Sequence, residues 1–186
     1  MEGRGTEDQV SRLFTCASGF QPRKGEKMSD RKSLRETDPE FMERFEHFAL
    51  REVPEEEGQE LDGSTRYLAI LATLLGCQGT DAFRELLPDA LDAGVTPVMV
   101  KETVYQAVDY LGMGRVRSFL DIVNEVLTER GVKLPLEGQA TTTMEDRLEK
   151  GVDIQVHIFG EQMREAWKGG HINRWLAANC FGDFYT

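Results

Sequence analysis

No apolar run in this sequence approaches the roughly 18 residues of a membrane span, which argues against a bilayer-embedded chain. Positive charge is also scarce, because 22 Lys and Arg stand against 33 Asp and Glu and leave a net charge of −11. A surface of that sign repels phosphate backbones instead of releasing their counterions, so nucleic acid is not an expected partner. The three cysteines, Cys16, Cys77 and Cys180, are odd in number and far apart, and residues 1–15 alternate charge and polarity where a secretory signal would be apolar. A reducing cytoplasm is the expected compartment. Histidine is equally sparse: His47, His157 and His171 have no second histidine three or four residues away, the spacing a helical metal site needs. Each is expected on the surface or in ordinary packing.

What is present describes a globular protein of ordinary composition, 40% hydrophobic and 30% charged over 186 residues. That length supports one main core with appendages. Residues 1–36 hold few apolar side chains and include the polar stretch QPRKGEKMSDRKS, which predicts a mobile tail in which Met28 could serve as a second start. From Asp38 the pattern changes. DPEFMERFEHFAL offers an N-cap at Asp38, Pro39 at the first helical position and Phe41, Phe45 and Phe48 at helical spacing, predicting about three helical turns. The acidic PEEEGQELDGS then reads as a solvated connector.

Four further helices follow. STRYLAILATLLG, capped by Ser64 or Thr65 and ending at Gly76, is apolar enough to predict burial on most sides. TDAFRELLPDALDAG, capped by Thr80 or Asp81 and stopped by Gly94, should bend near Glu85 because Pro88 removes a backbone donor. TPVMVKETVYQAVDYLG has Thr96 as cap, Pro97 at the first turn and Gly112 at its end. RVRSFLDIVNEVLTERG places Val116, Phe119, Leu120, Val123, Val126 and Leu127 on one stripe and stops at Gly131. The fold class expected is an all-α bundle spanning residues 37–131, centred on a hairpin of 64–76 and 80–93. After the linker VKLPLEGQATTT, residues 132–186 add two more helical segments with no long apolar partner behind them.

With the helices placed, the stretch from Arg66 to Gly131 resembles the carboxymuconolactone decarboxylase family, which includes the alkylhydroperoxidase-type disulfide peroxidases. The matching text is TRYLAILATLLG, then ALDAGVTPVMVKETVYQAVDYLGMGRV, then a helix ending NEVLTERG. EKGVDIQVHIFGEQM and WLAANCFGDFYT resemble the lead-in to such a domain, so residues 132–186 look like the incomplete front of a second repeat. The resemblance implies an all-α fold, a small-molecule substrate, no metal or organic cofactor, and assembly as a homo-oligomer, commonly a trimer or hexamer. The aromatic tail of Trp167, Trp175, Phe181 and Tyr185 points the same way, as an interface.

Two chemistries come with the family. A disulfide peroxidase needs an attacking thiolate, a resolving cysteine and a base, which the family writes as C-x-x-C followed by His. Here the positions three beyond Cys77 and farther on are Thr80, Asp81, Ala82 and Phe83, so its thiol would need a distant partner, Cys16 or Cys180. Otherwise Cys77 is a small apolar side chain at a helix joint. A decarboxylase must hold carboxylates, stabilise developing negative charge and deliver a proton. The family's histidine for this falls on Leu86, leaving a polar row of Glu102, Gln106 and Tyr110 at four-residue spacing on one helix face. Two arrangements fit that row. Either Glu102 acts as acid/base with Tyr110 as hydrogen-bond donor and Arg66 and Gln106 as substrate-binding groups, or Glu102 pairs with Arg66 and buttresses the bundle. The favoured function is a lyase or isomerase on a small carboxylated or lactone compound. A thiol peroxidase using Cys77 and a catalytically silent assembly repeat are the alternatives.

Overall fold

The computed structural model describes residues 34–58, 60–170 and 172–186, and among them every regular element is helical. Residues 1–33, with Cys16 and Met28, lie outside the described residues, as does His171. After one helical turn at Leu34–Thr37, α1 runs over Pro39–His47 and continues through wider π-helical turns, Phe48–Glu52, into Val53–Glu55. Pro39 opens α1 as expected, but the Asp38 side chain takes no backbone N–H of the helix and instead accepts from the Thr37 hydroxyl. Only Met42 of α1 is fully buried, while Phe41, stacked on Phe45 at 6.1 Å, is 63% exposed.

The core is built by α2 (Gly63–Gly76), α3 (Thr80–Asp92), α4 (Pro97–Leu111) and α5 (Met113–Glu129). Two of the four helix starts differ from expectation. At α2 the cap is Asp62, whose carboxylate accepts from the Thr65 backbone and hydroxyl, rather than Ser64 or Thr65; a cap of this kind contributes about 1 kcal/mol. At α3 Gly79 occupies the cap position and no side chain caps the helix. For α4 the reading holds throughout: Thr96 caps by accepting from the Met99 N–H, Pro97 follows, and Gly112 ends the helix at φ +78°. The α3 helix runs on through Pro88 without a break.

Burial on most sides of α2 is not what the structure shows. Leu71 and Leu75 are buried, whereas Ala69, Ala72, Thr73 and Gly76 are exposed. The apolar residues of α2 fill one face, and the small ones form an open back. Inside the bundle Phe83 of α3 meets Phe119 of α5 edge to face at 5.0 Å, flanked by Leu87, Val100, Val104, Val116 and Val123, all fully buried. The predicted stripe of α5 is the one that faces this core, with Leu120 at its half-buried margin.

Beyond residues 132–146, α6 (Arg147–Phe159) packs on a last helical segment, α7, made of Asn173–Trp175 and the π-helical Leu176–Phe184. The lack of an apolar partner behind either segment is thus corrected in part, because each covers the other. The crossing is so close that a methyl group at Gly151 would overlap the Ala177 carbonyl oxygen and lie 2.8 Å from the Gly182 nitrogen. One at Gly182 would overlap the Arg147 carbonyl oxygen. Arg147 also reaches Asp183 at 2.7 Å, clamping the same end of the pair.

Candidate functional site

The first candidate from sequence, Cys77, sits in the α2–α3 joint. Its backbone N–H closes the last turn of α2 on Thr73 O, and its Sγ lies 3.6 Å from Leu74 O. The residue in the left-handed region there is Gln78, at φ +63°, not a glycine. Two bonds hold that costly backbone: Gln78 Nε2 to Leu75 O, and Gly79 N–H to Leu74 O, each 2.8 Å. The Cys77 side chain is exposed, and among the described residues neither Cys180 nor a histidine is a partner.

The row on α4 is divided by what covers it. At its N-terminal end Glu102 lines a cleft of about 610 Å³ together with Val98, Lys101 and Tyr105 of the same helix and Asn124 of α5. Residues 134–139 complete the lining of this cleft, anchored by Leu134, which packs against the core. Helical spacing explains the lining: Val98 and Glu102 are one turn apart, as are Lys101 and Tyr105, while Val100 and Val104 turn inward. Lys101 is the residue that sequence reasoning missed. It is only 9% exposed, its Nζ donates to Asn124 Oδ1 at 2.5 Å, and it lies 5.7 Å from the Tyr105 ring centre. No ion pair among the described residues neutralises it, so its charge is held by an amide dipole and an aromatic face within a cleft.

Gln106, one turn on, is half-buried outside that cleft, and Arg66 does not line it either. No ion pair joins Arg66 to Glu102, so the buttress arrangement is not formed. At the far end of the row Tyr110 is 68% exposed, and its hydroxyl meets that of Tyr185 from α7. That bond and partial burial push the Tyr185 phenol up to about 12. Beside them the Cys180 thiol is pushed up to about 11 by burial and by the neighbouring Asp109 carboxylate. The Asp109 Oδ2 atom is buried with no hydrogen-bond partner among the described residues. Cys180 is accordingly protonated at neutral pH and a poor nucleophile.

A second, more open cavity of about 550 Å³ lies between α3 and α5, around Asp81, Arg84, Asp121 and Glu125, and shares Asn124 with the cleft. Arg84 and Glu125 close on each other at 2.7 Å. Among the described residues no three His, Cys, Asp or Glu side chains converge as metal ligands, and no described helix is long and apolar enough to cross a membrane. His47 and His157 lie on the surface. In comparisons with known proteins, the Carboxymuconolactone decarboxylase family matches residues 39–125. No curated protein and no solved structure matches the chain.

Proposed function

Residues 39–125 are a carboxymuconolactone decarboxylase family domain, and from that premise we propose a cofactor-free lyase or isomerase of a small carboxylated or lactone-like compound, worked by the cleft on α4. The observation that carries this reading is that Glu102 and the nearly buried Lys101, which has no ion-pair partner among the described residues, line one cleft. Substrate carboxylate or carbonyl oxygen lies against the Lys101 ammonium, which Asn124 holds in place. Glu102 takes a proton from the carbon next to the carbonyl. The electron pair left behind moves onto the carbonyl oxygen, where the ammonium stabilises it. Return of the proton at the conjugated carbon completes an isomerisation; in the lyase variant the electron pair comes from the bond to departing carbon dioxide, and the carbon takes a proton from water, relayed by Glu102. Lys101 takes the anion-holding part that the sequence suggested for Arg66. The reading places the protein in the cytoplasm as a homo-oligomer, a trimer or hexamer, in keeping with its exposed aromatic surfaces.

Turnover of a carboxymuconolactone analogue tests it. Glu102→Gln should lower kcat by about 100-fold or more, the usual contribution of a general acid/base, with KM little changed. Lys101→Met should mainly raise KM. Wild-type turnover in both variants would remove the cleft from the chemistry. Loss of activity in Cys77→Ser with full activity in Glu102→Gln would instead favour the thiol.

A further inference from the structure

Charge is unevenly balanced in the cleft on α4. Its lining carries one cation, Lys101, and two carboxylates, Glu102 on the same helix and Glu137 from the segment after α5. Lys133, just before that segment, is exposed and lies outside the lining. In the neighbouring cavity Arg84 is closed on Glu125 at 2.7 Å, and the other charged groups there, Asp81 and Asp121, are acidic. The Lys101 ammonium has three donors. One goes to Asn124 Oδ1, and no other hydrogen bond or ion pair among the described residues uses the remaining two. Because Lys101 is nearly buried, those two have little water to turn to, and the cleft is where they can meet an acceptor. Much of the remaining wall is apolar, with Val98, Tyr105, Pro135 and Leu136 in it. Its volume of about 610 Å³ falls within the usual range of small-molecule sites, about 300–1,000 Å³, and is far more than a lone carboxylate needs.

We infer that the cleft takes a compound with a single carboxylate, a ketone or lactone carbonyl beside it, and an uncharged apolar remainder. This rests on the cleft reading proposed above and narrows its substrate class. One ammonium with two free donors can take a carboxylate oxygen and the neighbouring carbonyl oxygen together. An electron pair that moves onto that carbonyl oxygen then stays under the same positive charge. A second carboxylate would find no cation of its own and would lie in a space edged by Glu102 and Glu137, where like charges repel. An uncharged ligand would leave the Lys101 charge without a counter-charge. Glu102 is already assigned to the proton, so Glu137 is the specificity-determining group. It comes from outside the segment that the family matches, and it bars ligands with a second negative charge.

Calorimetric titration of the full chain with three matched probes tests this. Benzoylformate has a carboxylate, an adjacent ketone and a phenyl ring, and it cannot enolise; 4-carboxybenzoylformate adds a second carboxylate, and methyl benzoylformate removes the charge. Benzoylformate should bind tightest and each of the others about tenfold more weakly, the scale of a lost charge-assisted bond or a like-charge contact. Lys101→Met should weaken benzoylformate about tenfold. Glu137→Gln should strengthen the dicarboxylate alone by about threefold, the size expected of an exposed charge. Circular dichroism checks the helix content of both variants. In the wild type, benzoylformate should shift the amide resonances of residues 98–105 and 134–139, a readout that needs no variant. Equal affinity for the dicarboxylate or the ester would overturn the single-carboxylate inference alone, so long as Lys101→Met still weakens binding. Dicarboxylate affinity unmoved by Glu137→Gln would overturn the part given to Glu137. No binding of any probe would overturn the inference, while turnover lost in Glu102→Gln would keep the cleft reading standing. Benzoylformate binding that Lys101→Met leaves untouched, or resonance shifts elsewhere, would overturn the cleft reading beneath it.

Discussion

In α2–α5 the helices meet through large side chains, Phe83 against Phe119 with leucines and valines around them. In α6–α7 they meet through backbone, at Gly151 and Gly182, with the small Ala177 and Ala178 beside them. Burying a large apolar side chain stabilises by about 1.5–3 kcal/mol, and the bundle does this many times over. The C-terminal pair buries few such groups. It gains close approach instead, together with the Arg147–Asp183 clamp, and it meets α4 where a carboxylate oxygen of Asp109 is buried with no hydrogen-bond partner among the described residues. Side-chain volume therefore makes a core that tolerates adjustment, whereas a glycine crossing makes a contact that tolerates almost none. The bundle should be the last part of the chain to open and the pair the first.

The largest test of that contrast is Phe119→Ala. It should cost about 3–5 kcal/mol and lower the main thermal transition, because the cavity lies where three helices share contacts. A variant with an unshifted transition would mean that the bundle does not govern global stability. Next comes Gly182→Ala, whose methyl must push α6 and α7 apart. Overpacking of this kind costs about 1–3 kcal/mol, and it should appear as faster amide exchange across residues 147–184 with α2–α5 unchanged. Uniform acceleration along the chain would erase the distinction between the two regions.

The smallest effect is a response to alkaline pH. Cys180 is raised from 9.0 to about 11 and Tyr185 from 10.0 to about 12 in the folded chain. Both are neutral when protonated, so the folded state binds these protons more tightly than the unfolded one. The stability they contribute is complete below about pH 9 and is lost as pH rises through about 12. The bundle holds one group of this kind, Tyr67, raised by burial and by Asp89 and Asp92. The C-terminal pair should loosen first on that climb. At pH 8 iodoacetamide should modify Cys180 about 100-fold more slowly in the folded chain than in urea, since each pKa unit removes tenfold of thiolate. Equal rates, read by peptide mapping, would show that the thiol is not held against Asp109.

The parts of this fold that were legible in the sequence are those decided within one or two turns of chain. Thr96, Pro97 and Gly112 bound α4 because capping, proline φ and a left-handed terminus are local matters. The stripe of α5 was legible for the same reason. What escaped depends on chain far away. Lys101 drew no attention in the sequence because the groups it meets, Asn124 and residues 134–139, come later in the chain. Gly151 and Gly182 gave no sign of meeting, since an interhelical approach leaves no periodicity in either helix. The spacing of Glu102, Gln106 and Tyr110 correctly put them on one face. It carried no information on what covers each turn, so a single row resolved into a cleft at one end and a docking contact at the other.

The strip at residues 134–139 divides labour within the cleft. Val98, Lys101, Glu102, Tyr105 and Asn124 all belong to the segment that the family matches, residues 39–125, but residues 134–139, which complete the lining, come after it. Beyond Leu134 the strip contributes nothing to the buried core. A mutation at Leu136 or Gln139 can therefore reshape that wall without weakening the helices that carry Lys101 and Glu102. The cleft thus joins a wall inside the family segment to a wall outside it, and the second can change while the first stays fixed.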